Sequence, residues 1–217
     1  NTQSRIMLTA EGSAGGWDYS GKLSFNRNKV DQSLVGGYAN GDMIGEALLE
    51  GVINPFGTQT PAAAALLDQA ALNGLLQTAT GKVAIAKASA NRDLGDWAGA
   101  GRSAQVAVGA EYRKEDFLSK AIPDFAALVS ASTGVDPTFI AQGKRNVSAV
   151  FTELNVPILK TLDVTGSVRY DRYSDFGSST NPKLSFRFQP SREVLLRGSA
   201  STGFRAPTLY ELYGSQS

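Results

Sequence analysis

The sequence predicts an all-β chain: an antiparallel up-and-down meander of about eight strands, part of a transmembrane β-barrel, with short helices in its long loops. Three observations carry that expectation. Apolar residues recur at every second position in segment after segment. Side chains alternate faces along a strand, so each such segment has one apolar and one hydrophilic face. Short and long connections take turns, which in a meander gathers the long loops at one end and the short ones at the other, the arrangement of outer-membrane barrels. Finally, no run approaches the ~18 uninterrupted apolar residues of a membrane helix.

In chain order, residues 5–13 set Ile6, Leu8 and Ala10 against Arg5, Thr9 and Glu11. Over 17–25, Trp17, Tyr19, Gly21, Leu23 and Phe25 alternate with Asp18, Ser20, Lys22 and Ser24. A third strand is expected over 82–93. The fourth, 105–113, opposes Val106, Val108, Ala110 and Tyr112 to Gln105, Glu111 and Arg113. The fifth, 146–156, has an open phase because Phe151 and Glu153 share a face. Over 162–171, Leu162, Val164, Val168 and Tyr170 stand against Asp163, Thr165, Ser167, Arg169 and Asp171. Over 183–189, Leu184, Phe186 and Phe188 sit between Lys183, Ser185, Arg187 and Gln189. An eighth strand is expected over 194–201.

The connections at 14–16, 95–102, 157–161 and 190–193 are short and bend at Gly, Pro, Ser or Asp. The alternate ones are long: about 27–80, 116–145 and 172–182. Thr60-Pro61 reads as an N-cap followed by proline at the first helical position, opening a helix over 62–76. A shorter helix over 42–50 is stopped by Gly51 and then Asn54-Pro55. The helix over 62–76 is too short to span a bilayer and is expected over the barrel mouth.

Composition removes several function classes. Among 217 residues, 21 basic and 20 acidic side chains leave a formal net charge of +1, no surplus with which to hold a nucleic-acid backbone. With no histidine and no cysteine there is no Ser-His-Asp or Cys-His relay, thiolate zinc site, iron–sulfur cluster or disulfide. Any metal would need oxygen ligands, and Asp171 and Asp175 lack the ligand spacing of a calcium loop. Gly99-Ala100-Gly101-Arg102-Ser103 reads as a turn, since no phosphate-loop motif is present. The expectation is a non-enzyme without a cofactor. Glycine is the outlier, 23 of 217 against a background of about 7%.

The C-terminal third carries a resemblance. Arg169-Tyr170-Asp171 precedes Tyr173-Ser174-Asp175-Phe176-Gly177, Asn181-Pro182-Lys183 opens the next strand, and Thr202-Gly203-Phe204-Arg205-Ala206-Pro207 leads into Glu211-Leu212-Tyr213. In this order the segments resemble the mid-barrel region of a TonB-dependent outer-membrane receptor. Gly109–Glu115 and Asn54-Pro55-Phe56 are similar to recurring segments of the same family.

The resemblance implies a bacterial outer-membrane location and contact with outer-membrane lipid. It also implies a parent protein that imports a scarce ligand of siderophore, cobalamin or saccharide type, coupled to the TonB complex through a plug. No plug pattern is found here and eight strands fall short of a 22-stranded transporter barrel. Residues 1–217 are therefore expected to be one partial barrel domain, an open curved sheet; pairing between 5–13 and 194–201 would instead mean a closed barrel. The alternative is a small self-contained outer-membrane barrel with a structural or adhesive role.

For individual side chains, Tyr170, Tyr173 and Phe176 are expected at the outer rim, joined by Phe204, where aromatic girdles mark the lipid boundary. Arg169, Arg187 and Arg197 fall on the polar phase and are expected to face the lumen, partnered by Asp163, Asp171 or Glu111. Arg205 is expected to fix a strand end.

Overall fold

The computed structural model describes residues 1–129 and 133–214. Eight strands pair in chain order into one antiparallel sheet: β1 (Thr2–Ala14), β2 (Trp17–Leu34), β3 (Gly74–Gly95), β4 (Ala104–Ala121), β5 (Ile140–Leu159), β6 (Leu162–Tyr173), β7 (Gly177–Phe188) and β8 (Leu196–Ser201). Among the described residues β1 and β8 are not bonded to each other, so the sheet is the open meander expected.

Register assigns every residue a face, because directly paired residues point the same way. The row Leu8, Leu23, Ala86, Tyr112 lies on the apolar face. One position along, Thr9, Lys22, Lys87, Glu111, Ala149 and Asp171 lie on the polar face. The open phase of the fifth strand resolves here too. Phe151 pairs with Gly109 and Arg169 on the polar face, its ring filling the space a Gly109 side chain would need, with Lys87 Nζ 5.0 Å from the ring centroid.

The long loops are shorter than 27–80, 116–145 and 172–182. They span 35–73, 122–139 and 174–176. β2 to β5 run on through polar stretches such as Asn26–Lys29, Lys114–Asp116 and Lys144–Asn146, where alternation of hydrophobicity fades because both faces meet water. β3 has 22 residues, which at ~3.4 Å each makes about 75 Å of strand. Tilted by about 45° it rises about 50 Å, twice the ~25 Å apolar band of an outer-membrane barrel.

The third connection is a tight turn. Ser178 to Pro182, loop-like in composition, pair fully with β6. The Pro182 carbonyl accepts from Thr202 N at 3.1 Å. The amide side of that residue therefore faces β8, and the ladder to β6 loses no donor.

At the opposite end Gly15 and Gly16 both have positive φ, 60° and 77°, and join Ala14 to its partner Trp17 as a two-residue hairpin turn that only such residues adopt easily. Asp96 ties the turn between β3 and β4, its carboxylate accepting from Ala100 N at 2.9 Å and Gly101 N at 2.7 Å.

The two longer loops form a cap. α1 (Gly41–Leu49) starts where the Asn40 side chain accepts from Asp42 N and Met43 N; α2 (Pro61–Ala70) starts where Thr60 Oγ1 accepts from Ala63 N at 3.2 Å. The helix expected over 62–76 stops at Ala70, because Gly74 and Leu75 pair with the end of β2. Ala47, Ile53 and Ala63 are buried between α1 and α2. Gly41 N donates to Leu128 O at 2.8 Å, beside α3 (Pro123–Ala127), which the sequence reading did not anticipate. Leu34, Leu76, Ala121 and Ala126 form the buried cluster seating this cap on the strand ends. After β8 the chain turns back, and α4 (Leu209–Tyr213) lies against β5.

Candidate functional site

The polar face carries a continuous chain of alternating charge across β4, β5 and β6. Arg169 Nη2 lies 2.9 Å from Asp171 Oδ1 and 3.3 Å from Glu111 Oε1. Glu111 Oε1 is 3.3 Å from Arg113 Nη1, whose Nε is 2.6 Å from Glu115 Oε1. Glu115 Oε2 is 3.8 Å from Arg145 Nη1, and Arg145 Nε donates to Asp175 at 2.8 Å. Strand alternation produces this: i and i+2 on one strand share a face, and register sets the partner strand's charges beside them. Asp171 and Asp175, set aside above as calcium ligands, are each held by an arginine, and no acidic cluster able to hold a metal occurs among the described residues.

Arg145 is the most buried member, its side chain 3% exposed, and its Nη2 has no hydrogen-bond partner among the described residues. Its guanidinium lies over two rings, 5.1 Å from the Phe176 centroid and 5.8 Å from that of Tyr173. Tyr173 and Phe176 stack at 4.3 Å, and Phe204 closes the group at 6.1 and 5.6 Å. This corrects the girdle expectation for Tyr173, Phe176 and Phe204. Tyr173 pairs with Val147 on the polar face, where Arg145 rather than a girdle position organises the ring. Tyr170 does stand on the apolar face, in the row of Ala110 and Val150.

Arg169, Arg187 and Arg197 all lie on the polar face. Arg187 Nη1 is 3.5 Å from Asp163 Oδ2, and Arg102 Nη2 approaches Asp163 Oδ1 at 2.6 Å. Arg197 stands directly opposite Arg187 and makes no ion pair or hydrogen bond among the described residues.

Of the other motif residues, Asn181 and Pro182 are ladder positions of β7, with Asn181 Nδ2 donating to Ser179 Oγ at 3.1 Å. Gly203, Phe204, Arg205, Ala206 and Pro207 form the return from β8, and Glu211, Leu212 and Tyr213 belong to α4. Arg205 fixes no strand end: it is largely exposed and pairs with Glu211 at 3.3 Å.

α4 roofs this region. Thr208 and Glu211 make a reciprocal capping box, and the hydrogen bonds from Thr208 hold the Glu211 carboxyl below the usual glutamate range. The Tyr213 ring sits on Gly143, where a side chain would collide with it, and Tyr210 meets Phe117 edge-on at 6.1 Å. Between α4 and the sheet lies a cavity of about 370 Å³ lined by Arg113, Glu115, Phe117, Arg145, Leu209 and Tyr210. The place thus offers two guanidiniums, one with a free N–H, beside aromatic faces. Arg145 was missed from sequence because it fell in an expected loop; extending the Val147, Ala149 phase by one step would have found it.

The family model described as TonB dependent receptor-like, beta-barrel, matches residues 1–217. Among solved structures, the chain is similar to the ferric enterobactin receptor of Pseudomonas aeruginosa, at 17% identity over 97% of this chain and 26% of that one, TM-score 0.62. The same receptor in complex with enterobactin gives 17% identity, the same coverage and TM-score 0.63. The siderophore receptor PirA of Acinetobacter baumannii gives 17% identity over 94% of this chain and 25% of that one, TM-score 0.55. The chain spans about a quarter of the length of these receptors, and at this identity the likeness is one of fold. No match was found among curated protein sequences.

Proposed function

From the premise that the chain belongs to the TonB-dependent receptor-like β-barrel family, we propose that it is a wall segment of a bacterial outer-membrane receptor importing a ferric siderophore. The polar face lines the lumen, the cap of α1, α2 and α3 stands outside the cell, and import draws on TonB through a plug. The segment itself catalyses nothing; it binds and orients.

The observation that carries the choice of ligand is Arg145. A buried guanidinium with an unengaged Nη2, bedded on Tyr173 and Phe176 and opening toward a cavity shared with Arg113, suits an anionic chelate with aromatic or planar ligating arms. A neutral saccharide would call for hydrogen-bonding side chains at that point. The known ligands of the similar receptors point the same way, since their names specify ferric enterobactin and a siderophore.

The test is binding by the intact receptor with ferric enterobactin, a ferric hydroxamate, cyanocobalamin and a maltooligosaccharide as probes. A ferric chelate is expected to bind, with Arg145→Ala weakening it about tenfold, or ~1.4 kcal/mol, and Arg145→Lys restoring part of the loss. Binding of cyanocobalamin or saccharide alone overturns the reading. So does ferric-chelate binding indifferent to both Arg145 variants.

A further inference from the structure

One short segment supplies two rings and a carboxylate to Arg145. Tyr173 ends β6 and pairs with Gly177, the first residue of β7, so residues 174–176 form a three-residue turn. Gly177 has φ 117°, a conformation that a residue with a side chain rarely adopts, and this lets the chain reverse so tightly. Tyr173 and Phe176 are the rings against the guanidinium, and Asp175 between them in sequence carries the carboxylate that holds it. Phe204, from the return after β8, packs against both rings.

The turn is also fastened to the strand that bears Arg145. Ser174 N donates to the Asn146 carbonyl oxygen at 3.0 Å, and Ser174 Oγ accepts from Asn146 N at 3.0 Å. These bonds carry the β5–β6 pairing one residue past Val147 and Tyr173, the last rung of the ladder. Asn146 is the chain neighbour of Arg145, so hydrogen bonds outside the ion pair set where Asp175 stands relative to it.

A guanidinium holds its five N–H donors in one plane, and those taken by carboxylates decide which remain. Asp175 takes Nε–H with both oxygens, at 2.8 and 3.0 Å. Glu115 lies 3.8 Å from Nη1. Nη2 is the donor left over, with no hydrogen-bond partner among the described residues. Without the Asp175 charge, Arg145 can turn its planar end toward Glu115, and the leftover donor is lost.

We propose that Asp175 is a positioning residue of the ligand site: acting through Arg145, and fixed by Ser174, it selects which N–H an anionic ligand meets. The proposal rests on the reading of Arg145 as the residue that binds the ferric chelate. Charge alone predicts the opposite sign. A carboxylate 2.8 Å from the guanidinium repels an anionic ligand, so its neutralisation would tighten binding. Loss of positioning weakens it.

The intact receptor in detergent is measured first without ligand. The Arg145 Nε–H resonance, assigned by its loss in Arg145→Lys, should exchange slowly with water, and Asp175→Asn should speed that exchange about tenfold. An unprotected Nε–H in the unaltered receptor overturns the proposal. Ferric enterobactin is then titrated. Asp175→Asn, which keeps the size of the side chain, should weaken binding about fivefold, the worth of one ordinary hydrogen bond. Ser174→Ala should weaken it about twofold, since the carboxylate stays but its staple goes. In the Arg145→Ala background Asp175→Asn should change nothing further, whereas a general loosening of the fold would add its own loss. Tighter binding by Asp175→Asn, or a full loss in the Arg145→Ala background, overturns the proposal. Where Arg145→Ala weakens binding and Asp175→Asn does not, the positioning role alone falls. No binding of ferric enterobactin, or binding indifferent to Arg145→Ala, removes the ligand reading and this proposal with it.

Discussion

The two faces of one sheet treat the same side chains in opposite ways. On the polar face Arg113, Arg145, Arg169 and Arg187 each find a carboxylate, because alternation puts Glu111, Glu115, Asp163 and Asp171 on the same side as the arginines. On the apolar face Arg27, Lys82 and Lys114 make no ion pair among the described residues, Asp116 opposite Lys82 being paired with Lys144 instead. Strand alternation sorts charge by face, but pairing within a face depends on what that face meets. The polar face neutralises its own charges within the protein, whereas the cations at the capped end of the apolar face outnumber its acids among the described residues.

The sharpest way to break that contrast is at the buried end of the ladder. Asp175→Ala leaves Arg145, among the described residues, with one carboxylate contact, 3.8 Å to Glu115, in a site where its side chain is 3% exposed. Stranding a buried charge costs about 3–5 kcal/mol, to be read as a lower urea midpoint of the intact receptor in micelles. Arg169→Gln, at a position one-third exposed, should cost about 1 kcal/mol or less. Lys82→Gln on the other face should leave the midpoint in detergent unchanged. Equal losses for all three would erase the distinction between faces.

A smaller effect separates two glycines on the polar face. At Gly109 an added Cβ meets the Phe151 ring and lies 2.8 Å from the Ala88 carbonyl oxygen, whereas at Gly81 nothing lies within 4 Å. Overpacking typically costs about 1–3 kcal/mol. Gly109→Ala should therefore lower the unfolding midpoint and Gly81→Ala should not. Phe151→Ala in the Gly109→Ala background should recover only part, since the backbone oxygen remains. A loss at Gly81 as large as at Gly109 would show that strand glycines here serve flexibility rather than ring packing.

The fold was legible wherever one face of a strand is apolar and the other polar. Five of the eight strands follow from clear period two and the other three from weaker alternation, and the polar placement of Arg169, Arg187 and Arg197 follows from it directly. Legibility failed where both faces of a strand are wet. Arg27 and Arg145 sit in strand extensions whose polar composition mimics loop, so the expected loops 27–80 and 116–145 swallowed them, and Lys114 fell just past the expected end of the strand over 105–113. Ser178 to Pro182 failed for another reason, since proline's missing donor matters only on one side of a strand. The aromatic cluster of Tyr173, Phe176 and Phe204 was misread as girdle because its organiser, Arg145, was not yet placed. Ring and cation belong to different strands, a contact that no spacing in the sequence records.

The mildest perturbation tests whether the roof over the polar face is separable from the ladder beneath it. α4 is held by its capping box and by Tyr213 on Gly143. The Glu211 carboxyl is held below its ordinary value of 4.5, first by the Thr208 backbone N–H and then by the Thr208 side chain, with Arg205 adding a weaker attraction. An acid with a lowered value stabilises the folded form above its unfolded value, and that contribution is lost as pH falls through the folded one. Between neutral pH and the ordinary glutamate range α4 should therefore stay docked, and below it the helix should loosen. Amide hydrogen exchange over residues 209–213 should accelerate on acidification beyond the intrinsic pH effect. Glu211→Gln should show faster exchange already at neutral pH, with the acid-dependent step gone. The exchange of β5 over 143–151 should not follow, because those amides belong to the sheet ladder. Joint acceleration of the two segments would mean that α4 and the charged wall open as one unit, and that the cavity between them is no independent mouth.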